Sequence, residues 1–221
     1  MPIIYIPSCK FTAYSPEASN IIKKYLAENY GVEIIGCCRE NHKKIKAEDL
    51  VVYICNTCGA FSRESSSAQK GISIWELLEN DENFLFPDYG QRKMAVQDCW
   101  RVYDNEPQQQ AVRRILQKMN IKVEELAENF AKTKFCGTTL YEPLPKQNGE
   151  LAPERFITNA GSFFQPHPKE EQEQLMKDHC QQIKSEEVVC YCVPCIKGIN
   201  LGGKKGIHLL DLMLGLADIE K

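Results

Sequence analysis

The stretches Leu50-Val-Val-Tyr-Ile-Cys-Asn-Thr-Cys58 and Val188-Val-Cys-Tyr-Cys-Val-Pro-Cys195 decide the fold. Each is an apolar run of strand length that ends on a Cys-x-x-Cys. Matching segments follow: Lys70-Gly-Ile-Ser-Ile-Trp-Glu-Leu-Leu78 after the first, Lys205-Gly-Ile-His-Leu-Leu-Asp-Leu-Met213 after the second. Upstream the match continues. Cys9 is followed six residues later by Ser15, and Cys99 six residues later by Asn105, and each of those opens a helical pattern. A further cysteine element lies between, Cys37-Cys38 in one half and Cys136-Gly137 in the other. The chain is built twice, and the repeat matches in its thiols more than in its surface.

Around these anchors the local signals alternate between strand and helix. Ile3–Ile6 reads as a buried strand that ends at Pro7 and Cys9. Ser15-Pro16-Glu17 starts a helix with Ile21, Ile22, Tyr25 and Leu26 on its apolar positions and a stop at Gly31. Val32–Ile35 is the next strand, and a helix around Ile74 to Asn80 closes the first half. Met94–Gln97 opens the second half, and Asn105-Glu106-Pro107 starts a helix that buries Val112, Ile115, Leu116 and Met119. Strand Ile121–Val123, a helical stretch Glu124–Lys132, helix Pro168–Ile183, strand Val188–Tyr191 and helix Ile207–Leu216 complete the expectation. Between Leu140 and Pro168 lies a proline-rich insertion, aromatic enough to be an ordered loop or lid.

The fold class that follows is α/β: two tandem pseudo-symmetric modules with mainly parallel sheets, residues 1–90 and 91–221, the insertion belonging to the second. In such sheets ligands collect at the carboxyl ends of the strands. Cys9, Cys37, Cys38, Cys55, Cys58, Cys99, Cys192 and Cys195 all fall just beyond strand ends.

Composition narrows the chemistry. A formal charge of −3 and the lack of a strongly basic stretch give no case for nucleic acid. No apolar run reaches the roughly 20 residues that span a bilayer, so no transmembrane segment is expected. Met1–Pro7 lacks a basic start and reads as strand rather than export signal, which implies a cytoplasmic, reducing setting. There, eleven cysteines point to metal or redox chemistry rather than structural disulfides.

Thiolates select zinc, copper(I) or iron–sulfur clusters. The first half offers Cys9, Cys37, Cys38, Cys55 and Cys58, one more than a tetrahedral ion or an ordinary cubane needs. The second offers Cys99, Cys136, Cys192 and Cys195, with Phe135 where the first half has Cys37. A Cys-x-x-Cys by itself also suits a thioredoxin-type redox pair, for which a helix should begin between the two cysteines. Cys180, on an apolar helix stripe with Met176 and Ile183, and Cys190, inside a strand, read as core. None of His42, His167, His179 and His208 has zinc-finger spacing to a cysteine. No glycine-rich dinucleotide loop is present, so reducing equivalents would come from a partner.

This arrangement, a cysteine, then Cys-Cys or Cys-Gly, then Cys-x-x-Cys, occurring twice, resembles the cysteine-rich CCG domain family, which includes the disulfide-splitting subunit of heterodisulfide reductase. The resemblance covers almost the whole chain. It implies a non-cubane [4Fe-4S] cluster on Cys9, Cys37, Cys38, Cys55 and Cys58. It implies a second cluster, or zinc, on Cys99, Cys136, Cys192 and Cys195, and a flavin- or iron–sulfur-bearing electron partner. The implied activity is oxidoreductase chemistry on a thiol or disulfide; the alternatives are an electron-transfer or accessory subunit and a structural zinc protein. No catalytic side chain is singled out. Arg39 stands where the family has glycine after its Cys-Cys pair.

Overall fold

A computed structural model describes residues 1–217 and divides the chain into two compact units. The first comprises Met1–Leu77 and Leu144–Ser162; the second comprises Leu78–Pro143 and the chain from Phe163 onward. The last four residues of the second expected module, 218–221, lie outside the described residues.

The first unit is a four-stranded parallel sheet of β1 (Ile3–Ile6), β2 (Glu33–Ile34), β3 (Leu50–Tyr53) and β4 (Lys70–Ser73), in the order β2-β1-β3-β4. Its helices are α1 (Cys9–Tyr14), α2 (Pro16–Tyr30), α3 (Cys38–Asn41), α4 (Asn56–Ser65) and α5 (Ile74–Leu78). The central strands β1 and β3 are the buried ones, with Tyr5, Ile6, Val51 and Val52 almost fully covered. Parallel pairing needs helical crossovers, so such strands are covered on both faces and read as unbroken apolar runs.

The second unit repeats that topology: β5 (Lys93–Gln97), β6 (Lys122–Glu125), β7 (Glu187–Cys190) and β8 (Lys205–His208), all parallel, in the order β6-β5-β7-β8. Helix α6 (Glu106–Lys118) starts where expected, with the Asn105 side chain accepting from the Gln108 amide. It buries Val112, Ile115 and Leu116 completely, each contributing on the order of 2 kcal/mol.

The insertion contains α7 (Lys146–Leu151) and a π-helical turn over Glu154–Thr158. Its middle, Leu144–Ser162, belongs to the first unit rather than to the second, where sequence placed the whole insertion. The cause is a set of contacts with α4. Phe156 is buried against Phe61 at 6.2 Å between ring centres. The Glu64 carboxylate accepts from the Glu154 and Arg155 amides at 2.8 and 3.1 Å, capping the turn, and the Ser65 hydroxyl donates to the Leu151 carbonyl. Phe163 and Phe164 stay with the second unit, against Trp100. Helices α8 (Lys169–Gln181), α9 (Val193–Leu201) and α10 (Leu209–Met213) complete the fold.

Two helical expectations do not hold. Glu124–Lys132 is not a helix: β6 runs on to Glu125, and the Asn129 amide group donates to the Val96 carbonyl at 2.9 Å, pinning the loop to β5. Only Phe130–Lys132 forms a 3-10 turn. The segment Ile207–Leu216 begins as strand, because Lys205–His208 pairs along β7, and helix α10 covers only Leu209–Met213. Helices α1, α4 and α9 and strands β4 and β8 were not legible in sequence. Cysteine and glycine interrupt the periodicity of the helices, and β4 and β8 are short edge strands.

Candidate metal centres

In the order 2-1-3-4 the chain leaves the sheet on one side of the first strand and returns on the other. The crevice for a ligand therefore lies beyond the ends of the two central strands. In both units, that is where the thiols stand. Cys9 follows β1, and Cys55 and Cys58 follow β3; Cys99 follows β5, and Cys192 and Cys195 follow β7. Most of the thiols also stand at the start of a helical segment, Cys9 as the first residue of α1. Cys37 and Cys55 are the N-caps of α3 and α4, Cys192 of α9, and Cys99 and Cys136 of 3-10 turns over Trp100–Val102 and Gly137–Tyr141. The positive ends of the longer helices, α4 and α9, favour thiolate over thiol.

The second unit forms a closed centre. The Sγ atoms of Cys99, Cys192 and Cys195 all lie within 4.8 Å of one another, and all three residues are buried. Cys136 joins them, its Sγ 3.8 Å from that of Cys99 and its thiol coupled to Cys195. Zinc–sulfur bonds of about 2.3 Å at tetrahedral angles place neighbouring sulfurs roughly 3.8 Å apart. Cys99, Cys192 and Cys195 are therefore close enough to share one ion, and Cys136, beside Cys99, stands next to them as a fourth donor. A cubane spreads its four outer sulfurs wider, because iron and sulfide fill the middle. Hydrogen bonds from Cys195 and Cys99 hold the Cys192 thiol down to about 5 despite burial. Burial pushes Cys195 well up, so the buried group shares a small number of negative charges.

The segment that carries Cys136 is jammed against the first turn of α9, which carries Cys195. Gly137 has φ +61°, and a Cβ there would meet the Pro194 carbonyl oxygen at 2.0 Å. Gly198 in α9 faces it, with an imagined Cβ 2.6 Å from the Gly137 Cα. At the matching place in the first unit, Arg39 sits inside α3, where no such approach is required. This explains why glycine is needed after Cys136 and not after Cys38.

Behind Cys99 lies a buried polar network. Asp98, fully buried, accepts from Arg113 at 2.6 and 2.9 Å, from the Tyr191 hydroxyl at 2.8 Å and from the Phe130 amide at 2.7 Å. Arg113 also holds Glu125 at 2.8 and 2.9 Å and lies 4.1 Å over the Phe130 ring. The Tyr191 hydroxyl in turn accepts from the Cys99 amide at 3.4 Å. Asp98, Arg113 and Tyr191 thus fix Cys99 at its strand end. Sequence reasoning missed them; the available signal was a carboxylate directly before a cysteine in an apolar strand.

The first unit differs. Its five thiols neighbour one another: Cys58 bonds Cys38 and Cys55, while Cys37, Cys38 and Cys55 all act on Cys9. Among the described residues, though, no group other than the second unit's is compact enough for its ligand atoms to lie within 4.8 Å together. The first centre is also open. Cys9 is exposed and Cys37 and Cys55 are half-buried, whereas all four thiols of the second are buried. The Cys58 bond lowers the Cys38 thiol, helped by the charge of Arg39, while its bonds to Cys38 and Cys55 and its burial raise Cys58. The first set is thus wider and more solvent-facing than the second.

The remaining candidates fall into place as packing groups. Cys180 and Cys190 are buried, with their sulfurs near the Ile199 and Val188 carbonyls. Phe135 lies flat against His179, ring centres 4.1 Å apart, and His179 bonds Gln97 at 2.6 Å. His208 caps α10 by accepting from the Leu210 amide at 3.2 Å, the role Ser73 plays toward Glu76 in the first unit. His167 pairs with Glu171, and His42 is buried in a 3-10 turn. A helix does begin within each Cys-x-x-Cys, the context of a thioredoxin-type pair. Further thiols lie around each pair, and in the second unit Cys99, Cys192 and Cys195 could hold a metal ion.

Fold and site together define a tandem parallel α/β protein with two cysteine centres at its strand ends. No family model, no curated protein and no solved structure matches the chain. Among the described residues no helix is long and apolar enough to cross a membrane.

Proposed function

We propose that this chain is an iron–sulfur redox protein whose first unit acts on a thiol or disulfide, while its second unit carries a structural zinc ion. The observation behind the division is the contrast in closure. Structural metal sites are sealed by their ligands, whereas reactive ones keep an open position. The four buried thiols of the second unit suit the first role, and the wider, solvent-facing set of the first unit suits the other. Resemblance to the CCG domain family supports the same assignment. A cluster held by Cys9, Cys37, Cys38, Cys55 and Cys58 would supply one-electron chemistry to sulfur. The chain's own part is to hold the thiolates at helix starts, leave Cys9 at the open edge, and cover α4 with the insertion. Electrons come from a flavin- or iron–sulfur-bearing partner.

The test is iron, sulfide and zinc analysis on anaerobically prepared protein, with Cys58→Ser and Cys195→Ser alongside. Loss of iron from the first variant and of zinc from the second supports the assignment. Iron retained in Cys58→Ser, or zinc as the metal at both centres, refutes it. Thiols and disulfides added to the wild type should shift the cluster's spectrum; if none does, the electron-carrier reading replaces the catalytic one.

A further inference from the structure

Arg39 follows Cys38 and is half-buried. Its guanidinium lies 5.8 Å over the ring of Phe61, which is fully buried. One Nη donates at 2.7 Å to the side-chain oxygen of Asn148, itself buried in α7 of the insertion. Among the described residues no carboxylate neutralises this charge; its hydrogen-bonding partner is a neutral amide. A half-buried cation whose partners are an aromatic face and a neutral amide keeps an uncompensated charge, which an anion beside it would offset. Five thiolates outweigh the positive charge of an iron–sulfide core, so a loaded first centre is that anion.

We propose that Arg39, moored by Asn148, is the charge-compensating residue of the first thiolate centre, a positioning group that stabilises the loaded, anionic form. The inference rests on the reading of that centre as a metal site. The second unit gives independent support. There Arg101, only 4 % exposed, donates to the Thr139 hydroxyl at 3.1 Å, and that hydroxyl bonds the Cys136 carbonyl at 2.7 Å. The charge of Arg101 acts on both Cys136 and Cys192. The two arginines are not repeat equivalents. Arg101 stands where the first repeat has Phe11, and Arg39 where the second has Gly137. Duplication of one module accounts for neither, whereas a shared electrostatic need accounts for both. Asn148 lies in a segment with no counterpart in the other repeat, so this mooring too is particular to the first centre.

The experiment compares wild type, Arg39→Gln, Arg39→Lys and Asn148→Ala in the full chain, each reconstituted anaerobically with iron and sulfide. Two quantities are read: the rate at which a ferrous chelator strips iron, and the cluster's midpoint potential. Glutamine can still donate to Asn148 but carries no charge. It should speed iron loss by about 10-fold or more and make the potential more negative. Lysine should restore most of both, and Asn148→Ala, which frees the cation without removing it, should give a smaller change in the same direction. Should Arg39→Gln fail to fold by circular dichroism, the lysine and Asn148→Ala comparison decides alone. Equal rates and potentials in wild type and Arg39→Gln, or lysine behaving as badly as glutamine, would overturn the role of Arg39 while leaving the metal reading intact. A wild type that takes up no iron sinks both.

Discussion

Replacing Gly137 by alanine perturbs one methyl group at the tightest backbone approach in the second centre. Two costs add. At φ +61° a side chain sits in the left-handed region, at roughly 1–2 kcal/mol. The new Cβ would also lie 2.0 Å from the Pro194 carbonyl oxygen, where ordinary contact begins at 3.4 Å, so the Gly137 segment and the start of α9 must part by more than an ångström. Overpacking against a rigid neighbour costs about 1–3 kcal/mol more. The neighbour is backbone, next to Cys195, and cannot swing away like a side chain. Gly137→Ala should therefore lower the unfolding free energy of the metal-free chain by roughly 2–5 kcal/mol in urea. It should also weaken cobalt(II) binding at the second centre, followed by its thiolate absorption, because separating Cys136 from Cys195 spoils the tetrahedron. Gly203→Ala is the control: φ is +88°, yet nothing lies within 4 Å of its imagined Cβ, so it should show the conformational cost alone. If Gly137→Ala costs no more than Gly203→Ala and binds cobalt as tightly, the jammed-backbone account of the centre is wrong.

Two further outcomes follow from the polar groups. Asp98→Ala removes the acceptor shared by Arg113, Tyr191 and the Phe130 amide, so it should destabilise the fold by about 3–5 kcal/mol in urea; a loss below about 1 kcal/mol, the range of an ordinary surface pair, would show that the network does not anchor Cys99. Glu187 is partly desolvated, which raises its carboxyl, but Arg92 at 2.6 and 2.7 Å and Lys205 at 3.1 Å outweigh this and hold it below the usual range. A depressed folded value means that its stabilisation is complete above the unfolded value near 4.3 and is lost as pH falls through the folded one. Wild type should thus exceed Glu187→Gln in stability at pH 6 and converge on it toward pH 3; a difference that stays constant with pH would refute the ion pair's contribution.

Strand ends, the repeat and the placement of thiols beyond the strand ends were legible in the sequence, because each depends on local pattern. Apolar runs of strand length between helical patterns fit the doubly covered strands of a parallel α/β sheet, and Asn105-Glu106-Pro107 caps its helix by local geometry. Long-range contact decided the rest. Glu124 and Glu125 join a strand through backbone pairing with β5, which overrides a helical pattern. Leu144–Ser162 joins the first unit because Phe61 and Glu64 give Phe156 and the π-helical turn a partner that periodicity does not reveal. Sequence already set the second centre apart by its missing thiol, Phe135 in place of a cysteine, but not by its closure. Only the folded chain shows that closure, since it depends on Gly137 lying against Pro194 and on Asp98 holding Cys99 from behind, and both are meetings of residues distant in sequence.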